Sequence, residues 1–266
     1  MIEDPDIEEL NEASTIHLFV PGQFLEREIS GGRMLVVMGV VGLALVGMTL
    51  ITLLLIVPLM QAGLVEFDYV HGTIRIAPEA FLTMTMAELF FLVAVLGYVR
   101  YYRLPLSSVG FKTMSFPRES LLGLGVGGVM LLANIAVNLF VYTASGSSPE
   151  SVDMLLAPTP AHLLAWVLVM FLVVGLAEAA LFRGLLQRRM EMFLRRRTAS
   201  NRSWALVISS FIFAAVHGDI LGIPSRFVLG LFLGLLAQKT RYSLVAPTVA
   251  HGLNNSVVVL LSYLGF

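Results

Sequence analysis

Residues 34–64 read MLVVMGVVGLALVGMTLITLLLIVPLMQAGL, a stretch with no charged side chain. That run is longer than the ~20 apolar residues a helix needs to cross a ~30 Å hydrocarbon core. Working outward from it, further apolar runs fall at about 80–99, 121–143, 161–182, 204–217, 226–238 and 247–264, the last three shorter or interrupted by polar residues. The whole chain has the same character. Of its 266 residues 57% are hydrophobic and 13% charged, with a mean hydropathy of +0.85, against roughly 25% charged in soluble domains. The expected fold class is all-α, a polytopic transmembrane bundle of about seven helices, with no length left for a separate soluble domain.

Residues 1–32 form the expected first unit, an acidic cytoplasmic tail. Met1 to Ser30 carries eight acidic residues and a single Arg27, and no basic stretch precedes a short apolar core, so it does not read as a secretory signal. Ile16, Leu18, Phe19, Phe24 and Leu25 would suit a surface helix; a disordered tail fits equally. Residues 33–266 form the transmembrane unit. The chain has no cysteine, which excludes thiol catalysis, disulfides and thiolate metal sites. The net charge of −1 selects no partner class, and nothing points to nucleic acid.

Lys and Arg set the orientation. With seven crossings and a cytoplasmic N-terminus, the inside positions are Arg27, Arg33, Arg100, Arg103, Lys112, Arg118, every basic residue from Arg183 to Arg202, Lys239 and Arg241, leaving Arg75 and Arg226 outside. The expectation is an N-terminus inside and Phe266 outside. A proton-coupled transporter is disfavoured because no internal repeat is visible.

Four polar residues interrupt the last apolar runs: Glu178, His217, His251 and Asn255. Lipid does not solvate such side chains, so an intramembrane Glu with two His is a functional-site hypothesis by default. With the cytoplasmic surface near Arg188, Trp204 and Tyr242 and a rise of ~1.5 Å per residue, Glu178 lies ~15 Å deep, His217 ~20 Å, His251 ~13 Å and Asn255 ~19 Å. All four reach a similar level, and His251 and Asn255 share one helix face as i and i+4. The expected site is a cavity open to the cytoplasm. Arg183, five residues after Glu178, is rotated about 140° from it on an α-helix and reads as a clamp on a neighbouring helix or a lipid phosphate.

These residues resemble the motifs of the CPBP family of intramembrane proteases, which includes the type II CAAX prenyl endopeptidases. Glu178-Ala179-Ala180-Leu181-Phe182-Arg183 resembles Glu-Glu-x-x-x-Arg, Phe213 to His217 resembles Phe-x-x-x-His, and His251 to Asn255 resembles His-x-x-x-Asn. The resemblance spans about 161–262, the motif-bearing core of the expected protease domain. It implies a glutamate-type endopeptidase acting on a lipidated CAAX-type or membrane-associated peptide, here in a prokaryotic plasma membrane. Ala179 departs from the pattern, standing where the family has a second Glu, and supplies the case for a catalytically weakened pseudoprotease that binds or scaffolds membrane partners.

The residues support the chemistry on their own terms. Peptide hydrolysis needs a base to activate water and donors to hold the oxyanion. Glu178 suits the base. His217 would share the water or protonate the leaving amine, while His251 and Asn255 would donate to the oxyanion. Arg183, Phe213 and Ala179 are supporting positions. No cofactor is expected; zinc is the alternative, because Glu with two His can bind it, although the His-Glu-x-x-His pattern is lacking. The expected partners are a peptide or lipidated protein substrate and membrane lipids. Bland readings are favoured elsewhere: Glu88 as a structural partner of Arg183 rather than a residue lining the cavity, Asn134 and Asn138 as packing contacts rather than substrate ligands, Asn254 as structural, and Arg195 to Arg197 as an anchor on anionic lipid rather than a guide for an acidic substrate tail. Asp219 either caps the next turn or orients His217.

Overall fold

The computed structural model describes residues 29–68, 73–146 and 157–265. The acidic tail, and the surface helix considered for it, lie outside those residues. Seven helices follow in the described chain, in the order the apolar runs dictate: α1 Gly31–Gln61, α2 Pro78–Tyr101, α3 Phe116–Ser145, α4 Pro160–Leu194, α5 Asn201–Ala215, α6 Ile223–Lys239 and α7 Val245–Tyr263. The fold is an all-α helical bundle.

Local chemistry sets the helix ends. The Ser30 side chain accepts the Arg33 N–H before α1, and Thr159 accepts the His162 N–H before α4, each satisfying a donor that the first turn leaves free. Proline stands in the first turn of α2, α3, α4 and α6, where its missing N–H costs nothing. Between α1 and α2 lies a small feature the apolar pattern does not reveal, β1 Val65–Asp68 paired antiparallel with β2 Thr73–Ile76.

The first four helices are long and apolar enough to span a bilayer, which makes the chain an integral membrane protein. The other three have 15, 17 and 19 residues, or about 22, 26 and 29 Å at the α-helical rise. Half of the most apolar window of α4 is buried, against 11% in α1 and α3. A membrane helix buried to that extent is surrounded by protein. α4 is therefore the central post, and the others shield it from lipid.

Small residues let the backbones close in. On α3, a Cβ at Gly123 would lie 2.7 Å from the Ala246 carbonyl oxygen, and one at Gly127 would lie 3.0 Å from the Ala250 Cα. This pair, four residues apart, seats α7 against α3. On α6, Gly230 meets Ser210 of α5 in the same way. Beyond α2, the 3₁₀ turn Leu106–Val109 tucks under α4, with the Val109 carbonyl against Gly184. Arg188 and Arg189 donate to the Ser107 and Ser108 carbonyls at 2.9 and 3.0 Å. Both arginines are buried, as is Arg183. These three basic residues thus bind the protein's own loops and rings; Arg195, Arg196, Arg197 and Arg202 are the exposed ones of that group.

Candidate active site

The winding of α4 changes around Glu178. Met170–Gly175 and Ala179–Gln187 are π-helical, flanking a short α-helical stretch, Leu176–Glu178. Wide turns of this kind concentrate at functional sites because they redirect side chains that an α-helix would stagger. They reduce the rotation expected between Glu178 and Arg183, yet no hydrogen bond joins the two, since both terminal nitrogens of Arg183 are unpartnered. Arg183 stacks on the Phe213 ring of α5, its guanidinium carbon 4.7 Å from the centroid. It does clamp a neighbouring helix, but from a buried position that no lipid phosphate reaches.

Glycines also bring α4 and α7 together. A Cβ on Gly175 would meet the Thr248 carbonyl oxygen at 3.0 Å, and one on Gly252 would meet the Phe171 ring at 2.5 Å. Gly175 is three residues before Glu178 and Gly252 directly follows His251. Close approach of the two backbones at this level presents the carboxyl to the imidazole. Glu178 Oε2 lies 3.4 Å from His251 Nδ1, though not aligned for a hydrogen bond, and Glu178 Oε1 lies 3.9 Å from His217 Nε2. The Glu178 carboxyl and both imidazoles, contributed by α4, α7 and the turn after α5, therefore meet.

Phe213 is the hub. Its ring packs edge-on to Phe182 at 5.2 Å, to His217 at 5.0 Å and to His251 at 6.1 Å. Its backbone carbonyl accepts from His217 Nδ1 at 2.7 Å. A carbonyl can only accept, so Nδ1 carries the proton and the neutral ring turns its Nε2 lone pair toward Glu178. Asp219 directs its hydrogen bonds away from this histidine. It accepts from Arg226 at 2.8 Å and caps the turn into α6 through the backbone N–H groups of Leu221 and Gly222.

Asn255 lies one turn beyond His251. Its Oδ1 accepts the Asn254 amide at 3.0 Å, which leaves the Asn255 amide nitrogen as the free end. Asn254 thus holds its neighbour. Asn138 donates to Asn134 at 3.3 Å within α3, as packing contacts do. Glu88 does not pair with Arg183: its Oε2 is buried without a hydrogen-bond partner, and both terminal nitrogens of Arg183 are likewise unpartnered. Ala179 is buried in the apolar core that also holds Phe91, Val95 and Phe182.

Access differs from the expected cytoplasmic cavity. Toward the basic end of α4, Phe182, Arg183, Leu185, Leu186 and Gln187 are all at most 1% exposed, and Gln187 is tied to the Gly234 carbonyl at 3.1 Å. The exposed edge is His217 and the residues after it, up to Ile220. The reason is length: α5 is short, so its terminal loop lies within reach of a residue midway along α4. As for a metal, among the described residues no three His, Cys, Asp or Glu side chains are gathered closely enough to hold one ion.

Residues 160–257 match the family model described as type II CAAX prenyl endopeptidase Rce1-like. That interval contains all three motifs quoted from the sequence. No curated protein and no solved structure matches the chain.

Proposed function

From the match of residues 160–257 to the type II CAAX prenyl endopeptidase Rce1-like model, we propose that the chain is a glutamate-type intramembrane endopeptidase that cleaves near the C-terminus of a lipidated, CAAX-type or other membrane-associated peptide. The observation that carries the reading is one carboxyl, Glu178, set between the imidazoles of His217 and His251 at 3.9 and 3.4 Å inside an apolar core. Glu178 takes a proton from water as the water oxygen bonds to the peptide carbonyl carbon, and the carbonyl electron pair moves onto oxygen. His251 and the free amide nitrogen of Asn255 donate to that oxyanion. When the intermediate collapses the C–N bond breaks, and the proton passes to the departing amine from Glu178 or through the His217 Nε2 lone pair. Arg183 and Phe213 hold the two imidazole-bearing helices against the base. No step requires a metal.

An exposed edge at His217, beside Ile220 and Phe211, which are 80% and 56% exposed, suits a substrate whose lipid anchor stays in the bilayer while its peptide reaches the carboxyl sideways. The test is incubation of the purified protein with a peptide library that includes a farnesylated C-terminal peptide, read by mass spectrometry, with Glu178→Gln alongside. The variant keeps the shape and loses the base, so a loss of at least ~10²-fold in rate is expected. Cleavage near the wild-type rate by folded Glu178→Gln would refute the mechanism.

A further inference from the structure

α2 and α4 run side by side in the same direction, and three contacts fix their alignment. Near the start of both helices, His162 Nε2 lies 3.0 Å from Glu79 Oε1. Two residues further along α2, Phe81 packs on Trp166 with centroids 5.7 Å apart. Ten residues beyond that, Phe91 meets Phe182 edge-on at 6.3 Å. Interpolating between the two aromatic pairs places residue 88 beside residues 177 and 178. The rotation agrees with the height: Glu88, Phe91 and Val95 follow at i, i+3 and i+7 on one face, and Phe91 and Val95 are buried in the core that contains Ala177, Ala179 and Phe182.

Two carboxyl groups, Glu178 buried and Glu88 half-buried, therefore share one level between α2 and α4. Each has an Oε2 buried with no hydrogen-bond partner. Orphaned buried oxygens are costly, and two facing carboxylates in a low dielectric do not both ionise. One proton held between them relieves both penalties. With Glu178 as the ionised base, that proton sits on Glu88, whose O–H then donates to Glu178 Oε2.

We infer that Glu88 is a positioning residue for the proposed reaction: its protonated carboxyl, presented by α2 at the height of Glu178, hydrogen-bonds the rear oxygen of that base and aims the other at the water. The inference rests on the proteolytic reading above. Because α2 lies outside the matched interval, the site extends to a helix that none of the three motifs includes.

The experiment compares Glu88→Gln, Glu88→Leu and Glu178→Gln, purified in detergent and assayed on a farnesylated C-terminal CAAX peptide, with kcat, KM and melting temperature measured for each. Gln at 88 still donates, through its amide, and is expected to keep kcat within about threefold of wild type. Leu fills the space without a donor, so kcat should fall about tenfold or more at unchanged KM, while the melting temperature holds or rises because a buried polar group has been removed. In the Glu178→Gln background Glu88→Leu should change nothing further, since the residue acts through that base. A Glu88→Leu enzyme with wild-type kcat overturns the inference and leaves the proteolytic reading standing, provided Glu178→Gln is inactive. So does a Glu88→Gln enzyme as slow as Glu88→Leu. An active Glu178→Gln enzyme removes the proteolytic reading itself.

Discussion

Gly175→Ala tests whether the contact between α4 and α7 sets the catalytic geometry. The new Cβ would stand 2.9 Å from the Met170 carbonyl oxygen of its own helix and, on α7, 3.0 Å from the Thr248 carbonyl oxygen and 3.4 Å from the Gly252 backbone nitrogen. An ordinary contact needs about 3.4 Å or more, so the two backbones must separate by a few tenths of an ångström. That displacement falls one turn from the 3.4 Å approach of His251 to Glu178. A 1 Å misplacement of reacting groups costs about 10²-fold, so a shift of roughly 0.4 Å is expected to lower kcat about five- to tenfold. Ala has the better helix propensity by about 0.8–1.0 kcal/mol, so stability should fall much less than activity. Gly128→Ala on α3 is the control, because a Cβ there meets nothing within 4 Å, and it should leave kcat unchanged. The assay is steady-state cleavage of the farnesylated peptide, with a melting curve for each variant. A Gly175→Ala enzyme as fast as wild type would refute the reasoning.

Topology is checked with tags. A tag before Met1 should be cytoplasmic and one after Phe266 extracytoplasmic, and accessibility showing both ends on one side would overturn the orientation drawn from Lys and Arg. Metal analysis should find substoichiometric zinc and chelators should leave activity intact; stoichiometric zinc lost and regained together with activity would favour a zinc-dependent protease. Stability should also depend on pH through Lys112, in the loop between α2 and α3. Burial, with Arg188 and Arg241 nearby, pushes its amine down to about 7, whereas in the unfolded chain it titrates near 10.4. Between those values the unfolded state holds the extra proton, so stability rises with pH from about 7 to about 10. Melting curves over that range should show the rise, and Lys112→Met should flatten it.

The apolar runs located six of the seven helices to within about five residues at both ends, and the start of α4, which runs on to Leu194, because lipid imposes one simple rule, that each crossing be long, apolar and internally hydrogen-bonded. Of the four residues that the depth arithmetic set at a similar level, Glu178, His217 and His251 lie side by side. What stayed hidden depends on winding and on neighbours. Nothing in the letters from Met170 to Gln187 announces i→i+5 hydrogen bonding, so the winding around Glu178 was not legible. Arg188 and Arg189 look like surface anchors until the 3₁₀ turn at Leu106 supplies their carbonyl partners. The closely packed glycines were legible in principle, since Gly123 and Gly127 on α3 and Gly230 and Gly234 on α6 have the small-x-x-x-small spacing of close membrane helices. The hairpin at Val65 to Ile76 had a weak signal in alternating polar and apolar residues, overshadowed by the long apolar run before it.

The rival reading, an inactive scaffold, rests on Ala179. The structure weakens that inference by showing what surrounds the position. Ala179 is 4% exposed and packed among apolar side chains, so its small size is what the local core of this chain accommodates. A Glu side chain at 179 would have to find room in that packed core, whereas Glu88, on the same helix as Phe91 and one turn earlier, already brings a carboxyl to that level. Glu178 and His251 are buried, and Glu178 and Glu88 each carry a buried oxygen without a hydrogen-bond partner, which costs about 1–3 kcal/mol apiece and which an apolar replacement would remove. The proposed reaction accounts for keeping polar groups there at that cost.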